Sequence, residues 1–323
     1  MRAVVVREHG GPEVLTVDDH EDPEAGPGQV VVEVAASGVN FMDIYQREGR
    51  PPYGGALPYV PGAEGAGTVA TVGEGVEGLA AGDRVAWTGV GSSYAERVAV
   101  PADRAVPVPD GVDLPAAAAV MLQGTTAHYL CTSTYPVAEG DVVVVHAAAG
   151  GVGLLLTQMV KMRGGTVVAT TSTSEKAELA RQAGADHLAG YGDFAAVVAD
   201  VTGGTGAAAV FDGVGKTTFD DGLGALRPRG IMVLYGGASG PVPPFELQRL
   251  NTGGSLYITR PTLGHYISSR DELLGRTRDL FGWIGSGALD VRIGGRYPFA
   301  EAPRAHDDLA GRRTTGKLLL VPR

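Results

Sequence analysis

Asp141–Met162 reads DVVVVHAAAGGVGLLLTQMVKM, and this stretch decides the fold. Its first part, DVVVVHA (141–147), is an unbroken apolar strand, as expected where both faces of a sheet are covered. Small residues follow, and then a helical run. In the G-x-G-x-x-G fingerprint the first glycine makes the tight turn, the second lets backbone approach a pyrophosphate, and the third lets helix and strand pack closely. Ala148 stands in the first place, Gly150 in the second and Gly153 in the third. A glycine pattern is informative only when it follows a strand and opens a helix, and both conditions are met. The helix start then offers free N–H groups and a positive dipole end to an anion. Ala149, Gly150, Gly151, Val152 and Gly153 are therefore the candidate pyrophosphate contacts.

Working outward, the chain alternates after 147. TVVATTS reads as a strand, SEKAELARQAG as a helix closed by Gly184, and AAAVFDGVG and IMVLYGG as further strands. This rhythm predicts a doubly wound parallel sheet. Residues 1–110 differ: MRAVVV, QVVVEVAA, AGTVATVG, DRVAW and ERVAV are short β-branched runs between Gly, Pro and Asp signals. They predict an antiparallel barrel or sandwich. LPAAAAVMLQGTTAHYL (114–130) reads as helical, in two segments broken at Gly124. After 262 the chain returns to the first domain. A capping box, Ser269 to Glu272, starts a helix reaching about Gly285, and RYPF and GKLLLVP are closing strands around an EAPRAHDDLAG helix. The fold class is thus α/β, a Rossmann domain over 123–262 inserted in a split β-rich domain of 1–122 and 263–323.

The second strand of the nucleotide half decides between NAD and NADP. An NAD site places Asp or Glu about 20 residues on, to hold the ribose 2′-OH. Thr170, Thr171, Ser172, Thr173 and Ser174 stand there instead, followed by Lys176. Hydroxyls and one ammonium suit a 2′-phosphate, which an acid would repel. Thr171, Ser172, Ser174 and Lys176 are the candidate contacts, and NADPH is the expected cofactor. Glu175 counts against this, and Ser174 could instead merely cap the next helix.

Among 323 residues, Lys+Arg number 26 and Asp+Glu 36, a net charge of −10. That balance argues against a nucleic-acid partner, which needs a basic face. A single cysteine, Cys131, rules out an internal disulfide and any multi-cysteine zinc site. It reads as a buried small hydrophobe. The N-terminus, MRAVVVREHGGPEV, lacks the pattern of a signal peptide, and the apolar runs fall short of the ~18 residues a membrane helix needs. A cytoplasmic location is expected, with no membrane partner. His146 is read as a packed core histidine, Trp87 and Trp283 as packing anchors, and Arg276, Arg278, Arg312 and Arg313 as solvated charges. Asp212, ending a strand before Gly213, stabilises a turn or borders the cofactor.

Several segments together resemble one family. HGGPEVL (9–15), GVNFMDIY (38–45), PGAEGAG (61–67), AAGDRV (80–85), HAAAGGVG (146–153), GSLYITRPTL (254–263) and TTGKLLL (314–320) are similar to the zinc-independent quinone oxidoreductases of the medium-chain dehydrogenase/reductase superfamily, the zeta-crystallin-like group. The resemblance spans essentially the whole chain. It implies a GroES-like catalytic domain, an inserted Rossmann domain, NADPH, and a homodimer joined along the 254–260 strand. By the same resemblance Asn40 lies beside the nicotinamide, with Asp43 at the usual spacing. Gln123 and Thr126 lie under the nicotinamide ribose, and Lys176 and Tyr191 lie near the 2′-phosphate ribose and adenine. Gly215, Tyr235, Gly236, Ser239 and Leu263 fall in cofactor-touching segments, and Lys317 matches a late-chain cofactor contact. The loop 50–57 matches least well and borders the substrate, which makes Tyr53 a further candidate beside Asn40 and Asp43 in the catalytic group.

The zinc enzymes of this superfamily carry cysteine where Asn40 stands and histidine where Ala63 precedes Glu64. No metal site is expected from these residues. Without a Lewis acid, alcohol oxidation loses its usual driving group. The expected reaction is NADPH-dependent reduction of a quinone, by hydride or single-electron transfer. Reduction of an α,β-unsaturated carbonyl is the alternative, and a non-enzymatic, crystallin-like or RNA-binding role a further one.

Overall fold

Short β-branched runs make the first unit a sheet structure. The computed structural model describes residues 1–322, and the chain divides into two units, Met1–Thr125 with Ile267–Arg323, and Thr126–Tyr266. In the first, β1 (Arg2–Val6) and β2 (Leu15–Asp19) form a hairpin. β3 (Gln29–Val39) runs into the helix α1 (Phe41–Arg47), followed by β4 (Glu64–Val72), β5 (Arg84–Thr88), β6 (Arg97–Pro101) and the two-residue β7 (Val106–Pro107). Val30, Val32, Val69, Val85, Trp87 and Val98 bury one face of these strands. Each fully buried residue of this kind contributes about 1.5–3 kcal/mol.

The helix α2 (Leu114–Tyr129) runs through Gly124 without a break and ends in one π-helical turn, Leu130–Thr134. The expected interruption at Gly124 is thus corrected. The glycine serves packing instead: a Cβ there would crowd Val120 Cγ2 and lie 3.3 Å from Leu280 Cδ1.

The second unit alternates strand and helix. β8 (Val142–Val145), α3 (Gly151–Met162), β9 (Thr166–Thr170) and α4 (Ser174–Gln182) are followed by β10 (His187–Ala189), α5 (Phe194–Val201), β11 (Ala207–Asp212) and α6 (Phe219–Gly224). β12 (Leu226–Leu234), α7 (Gln248–Thr252), β13 (Tyr257–Thr259) and α8 (Leu263–Tyr266) complete it. The sheet is wholly parallel, in the order β10-β9-β8-β11-β12-β13. The order reverses between β8 and β11, the switch point at which open α/β sheets take their ligands. Val144, Val168, Phe194, Val210 and Met232 lie in one core cluster of this unit.

The chain then returns to the first unit with α9 (Arg270–Gly285), β14 (Ile293–Pro298), α10 (Ala302–Ala310) and β15 (Lys317–Val321). Ser269 Oγ accepts from Glu272 N at 3.2 Å, capping α9 as its sequence requires. Arg276, read from sequence as a solvated charge, is buried on this helix. The sheet order is β14-β15-β3-β4-β5-β7. β14 and β15 pair in parallel, the one departure from the antiparallel pattern. β4 takes one edge of β3. β6 and β15 share the other, along residues 29–33 and 37–39. With Leu318 opposite Val39 and Gly65 opposite Ser37, this register gathers Asn40, Glu64 and Lys317 at one end of the sheet. No helix among the described residues is long and apolar enough to cross a membrane.

Candidate functional site

The turn between β8 and α3 is the centre of the second unit. Gly150 is the N-cap of α3 and carries no side-chain cap, so the first-turn N–H groups face outward uncapped. A Cβ on Gly153 would lie 2.5 Å from Ala147 O and 2.7 Å from Ala148 Cα, so only glycine lets the helix pack on the turn. A Cβ on Gly150 would lie 3.2 Å from Ala147 O. Ala149 is buried behind the turn, while Gly151 and Val152 are half-buried. The left-handed residue of the turn is Ala147, at φ 53°. Ala148 is buried and donates its N–H to Thr170 O at 3.1 Å. An uncapped, glycine-lined helix start of this kind fits a pyrophosphate.

β9 ends in hydroxyls. Thr170 is buried, with Oγ1 2.9 Å from His146 Nδ1. His146 is fully buried, and burial pushes it down to about 4, so the ring is neutral; its Nε2 has no partner. Thr171 is nearly buried, and Ser172 and Ser174 are exposed. Thr173, not Ser174, caps α4, accepting from Lys176 N at 3.3 Å. Lys176 is half-buried in the first turn, and Tyr191 lies over His146 with ring centroids 6.1 Å apart.

The loops after β11 and β12 interlock. Asp212 Oδ1 accepts from Val214 N at 2.6 Å and Gly215 N at 2.9 Å, and Oδ2 accepts from Thr218 Oγ1 at 2.8 Å. Its work is to hold this turn, in which Gly215 sits at φ 91°. Ser239 Oγ donates to Val214 O at 2.8 Å, and a Cβ on Gly236 would lie 2.5 Å from Gly213 O. Burial and the Asp212 charge push the Tyr235 phenol up. Leu263 begins α8 and is half-buried. Thr126 is buried in α2. Gln123, on the same helix, has a buried Oε1 with no hydrogen-bond partner.

In the first unit, Asn40 lies at the end of β3 as the N-cap of α1. Its Nδ2 donates to Glu64 Oε1 at 2.7 Å, and its Oδ1 accepts from Lys317 Nζ at 2.7 Å. Lys317 and Glu64 form an ion pair directly. Glu64 and this pairing of Lys317 escaped sequence reasoning. Asp43, expected in the catalytic group, is buried beneath Asn40. Its Oδ2 accepts from Asn40 N at 2.8 Å and from Tyr94 Oη at 2.9 Å, and burial raises it to about 6. It holds the start of α1 through the backbone of Asn40. Tyr53 is exposed, its ring 5.5 Å from that of Tyr45. Among the described residues, no three His, Cys, Asp or Glu side chains gather as a metal site.

A doubly wound nucleotide sheet carried within a β-rich first unit defines the medium-chain dehydrogenase/reductase class. Residues 26–110 match the alcohol dehydrogenase GroES-like domain and residues 151–274 the zinc-binding dehydrogenase domain. The quinone oxidoreductase of Pseudomonas aeruginosa is 44% identical over 317 residues, covering 97% of each chain. The 2-haloacrylate reductase of a Burkholderia species is 40% identical over 329 residues, covering 99% of this chain and 98% of that one. The structure of Escherichia coli quinone oxidoreductase complexed with NADPH superposes with a TM-score of 0.96 at 38% identity, covering 100% of both chains. The chain belongs to the quinone oxidoreductase family.

Proposed function

We propose that this chain is an NADPH-dependent quinone oxidoreductase. The observation that carries the reading is its full-length likeness to quinone oxidoreductases, one of them solved with NADPH. The hydroxyls of Ser172, Thr173 and Ser174 with Lys176, where an NAD site would carry a carboxylate, support the choice of NADPH. When bound, NADPH supplies the hydride, and the chain supplies orientation and electrostatics. On this reading the α3 N-terminus holds the pyrophosphate, the hydroxyls after β9 and Lys176 hold the 2′-phosphate, and Asn40 donates a hydrogen bond to the acceptor's carbonyl oxygen. Quinones and enones are already polarised toward hydride. Asn40 and Ala63 occupy the places of zinc ligands, and that favours acceptors of this kind over alcohols.

Reduction of α,β-unsaturated carbonyls is the second reading, favoured by the likeness to a 2-haloacrylate reductase. Steady-state oxidation of NADPH with phenanthrenequinone and with an alkenal separates the two. Turnover of the quinone at the higher kcat/KM supports the first reading, and turnover of the alkenal alone replaces it with the second. The chain is further assigned a homodimer that pairs along β13, a sheet edge on which Tyr257 is 60% exposed. A cytoplasmic setting accords with its single, buried, reduced Cys131.

A further inference from the structure

Glu64 and Lys317 form an ion pair held out of water, at 0% and 1% exposure. Taking such a pair from water costs several kcal/mol per ion, and it persists only where further polar partners complete it. Here one side chain completes both. Asn40 offers its N–H to the carboxylate and its carbonyl oxygen to the ammonium. Leu122 N closes the remaining carboxylate oxygen, Glu64 Oε2, at 2.6 Å. The pair also depends on room beside it. A Cβ on Gly38 would lie 2.6 Å from both Glu64 Cδ and Lys317 Cε.

The charges determine which way the Asn40 amide faces. A carboxylate only accepts and an ammonium only donates. A flipped amide would set oxygen against Glu64 and N–H against Lys317. In the observed orientation the second N–H of Nδ2 has only Gly38 O, at 3.5 Å, which is beyond a good hydrogen bond. A negative group pulling on one end and a positive group on the other polarise the amide, and this strengthens the remaining donor.

We infer that Glu64 and Lys317 are positioning residues that lock and polarise the Asn40 amide so that one N–H stands ready for a ligand's carbonyl oxygen. The inference rests on the reading above that Asn40 donates to the acceptor. NADPH, when bound, would supply the acceptor with a hydride and its two electrons. The acceptor's oxygen takes the charge, and solvent supplies the proton. A fixed donor at that oxygen is worth most as the charge develops.

The sequence contains two asparagines, Asn40 and the exposed Asn251, so an asparagine-selective nitrogen-15 spectrum of the ligand-free protein reads Asn40 directly. Two resolved Asn40 amide protons, exchanging with solvent at least tenfold more slowly than those of Asn251, are expected. In Lys317→Met and Glu64→Gln that protection falls at least tenfold. In kinetics with a quinone, Asn40→Ala lowers kcat at least tenfold, and adding either variant to it lowers kcat no further. Losses that add in the double variants, or an Asn40 signal unchanged in Lys317→Met, overturn the inference. Should Lys317→Met fail to fold, the isosteric Glu64→Gln carries both tests. Wild-type turnover by Asn40→Ala overturns the role given to Asn40. A locked amide in a protein without quinone turnover overturns the function and leaves the lock standing.

Discussion

Arg47 donates from Nη1 to His306 Nδ1 at 3.3 Å, and this one contact sets the direction of a buried chain. A guanidinium cannot accept, so the imidazole carries its proton on Nε2. Nε2 then donates to Tyr94 Oη at 3.2 Å, and Tyr94 donates to Asp43 Oδ2 at 2.9 Å. Asp43 in turn holds the backbone N–H of Asn40. The chain ties α10 to α1 and so to the residue on which the first unit's site is built.

His306 gives this chain a pH signature. Burial, with the Arg47 charge, pushes it from 6.5 down to about 3. A histidine with a depressed folded pKa contributes stability that is full above its unfolded pKa and is lost as pH falls. Asp43, raised by burial from 3.8 to about 6, contributes in the opposite sense: its share is full below 3.8 and is lost as pH rises through about 6. The destabilisation caused by His306→Gln therefore shrinks as pH falls below about 6.5, by up to about 1.4 kcal/mol per pH unit. Denaturant unfolding of both proteins across this range measures it. A constant difference counts against a neutral buried His306.

Gly153→Ala forces a Cβ to 2.5 Å from Ala147 O. The expected outcome is a loss of about 1–3 kcal/mol from overpacking, with weaker NADPH binding because α3 is pushed off the turn. Thermal melting and a fluorescence titration with NADPH read the two effects separately. Unchanged values for both would show that the turn has room to spare.

At Ala147 the sign reverses. Its φ of 53° is left-handed, a region that costs a residue with a Cβ about 1–2 kcal/mol. Ala147→Gly relieves that strain and returns part of the gain as unfolded-chain entropy. A Tm raised by one or two degrees is expected, at about 2–4 °C per kcal/mol for a domain of this size. A lower Tm would place a needed contact on the Ala147 methyl.

Lys176→Glu sets a carboxylate in the first turn of α4, beside the exposed hydroxyls of Ser172 and Ser174. Each charge-assisted hydrogen bond is worth about 1.5–3 kcal/mol. The ratio of kcat/KM for NADPH over NADH should fall by at least about tenfold. A ratio that does not move would take the 2′-phosphate away from Lys176.

What was legible from the sequence was local. The β8–α3 turn combines an apolar strand, a small-residue turn and a helical run within 22 residues, and its reading needs nothing distant. Ser269 and Glu272 announce α9 in the same way. Asn40 and Asp43, with the same spacing, could have announced α1, but the strand-like composition around them hid it. β10 is three residues long and carries His187, too short for a period to register. A glycine in a helical run, as at Gly124, signals either a break or close packing, and the side chains packed on it, Val120 and Leu280, tell which. The Glu64–Lys317 pair spans 253 positions and is created by strand register, which local pattern does not encode.

Single-turnover mixing of the protein, preloaded with NADPH, against a quinone reads the proposed activity directly through the absorbance of the reduced nicotinamide. Loss of that absorbance is expected, at a rate that rises with quinone concentration and that Asn40→Ala slows at least tenfold. NADPH bound with unchanged absorbance in the presence of quinone would contradict the proposed activity.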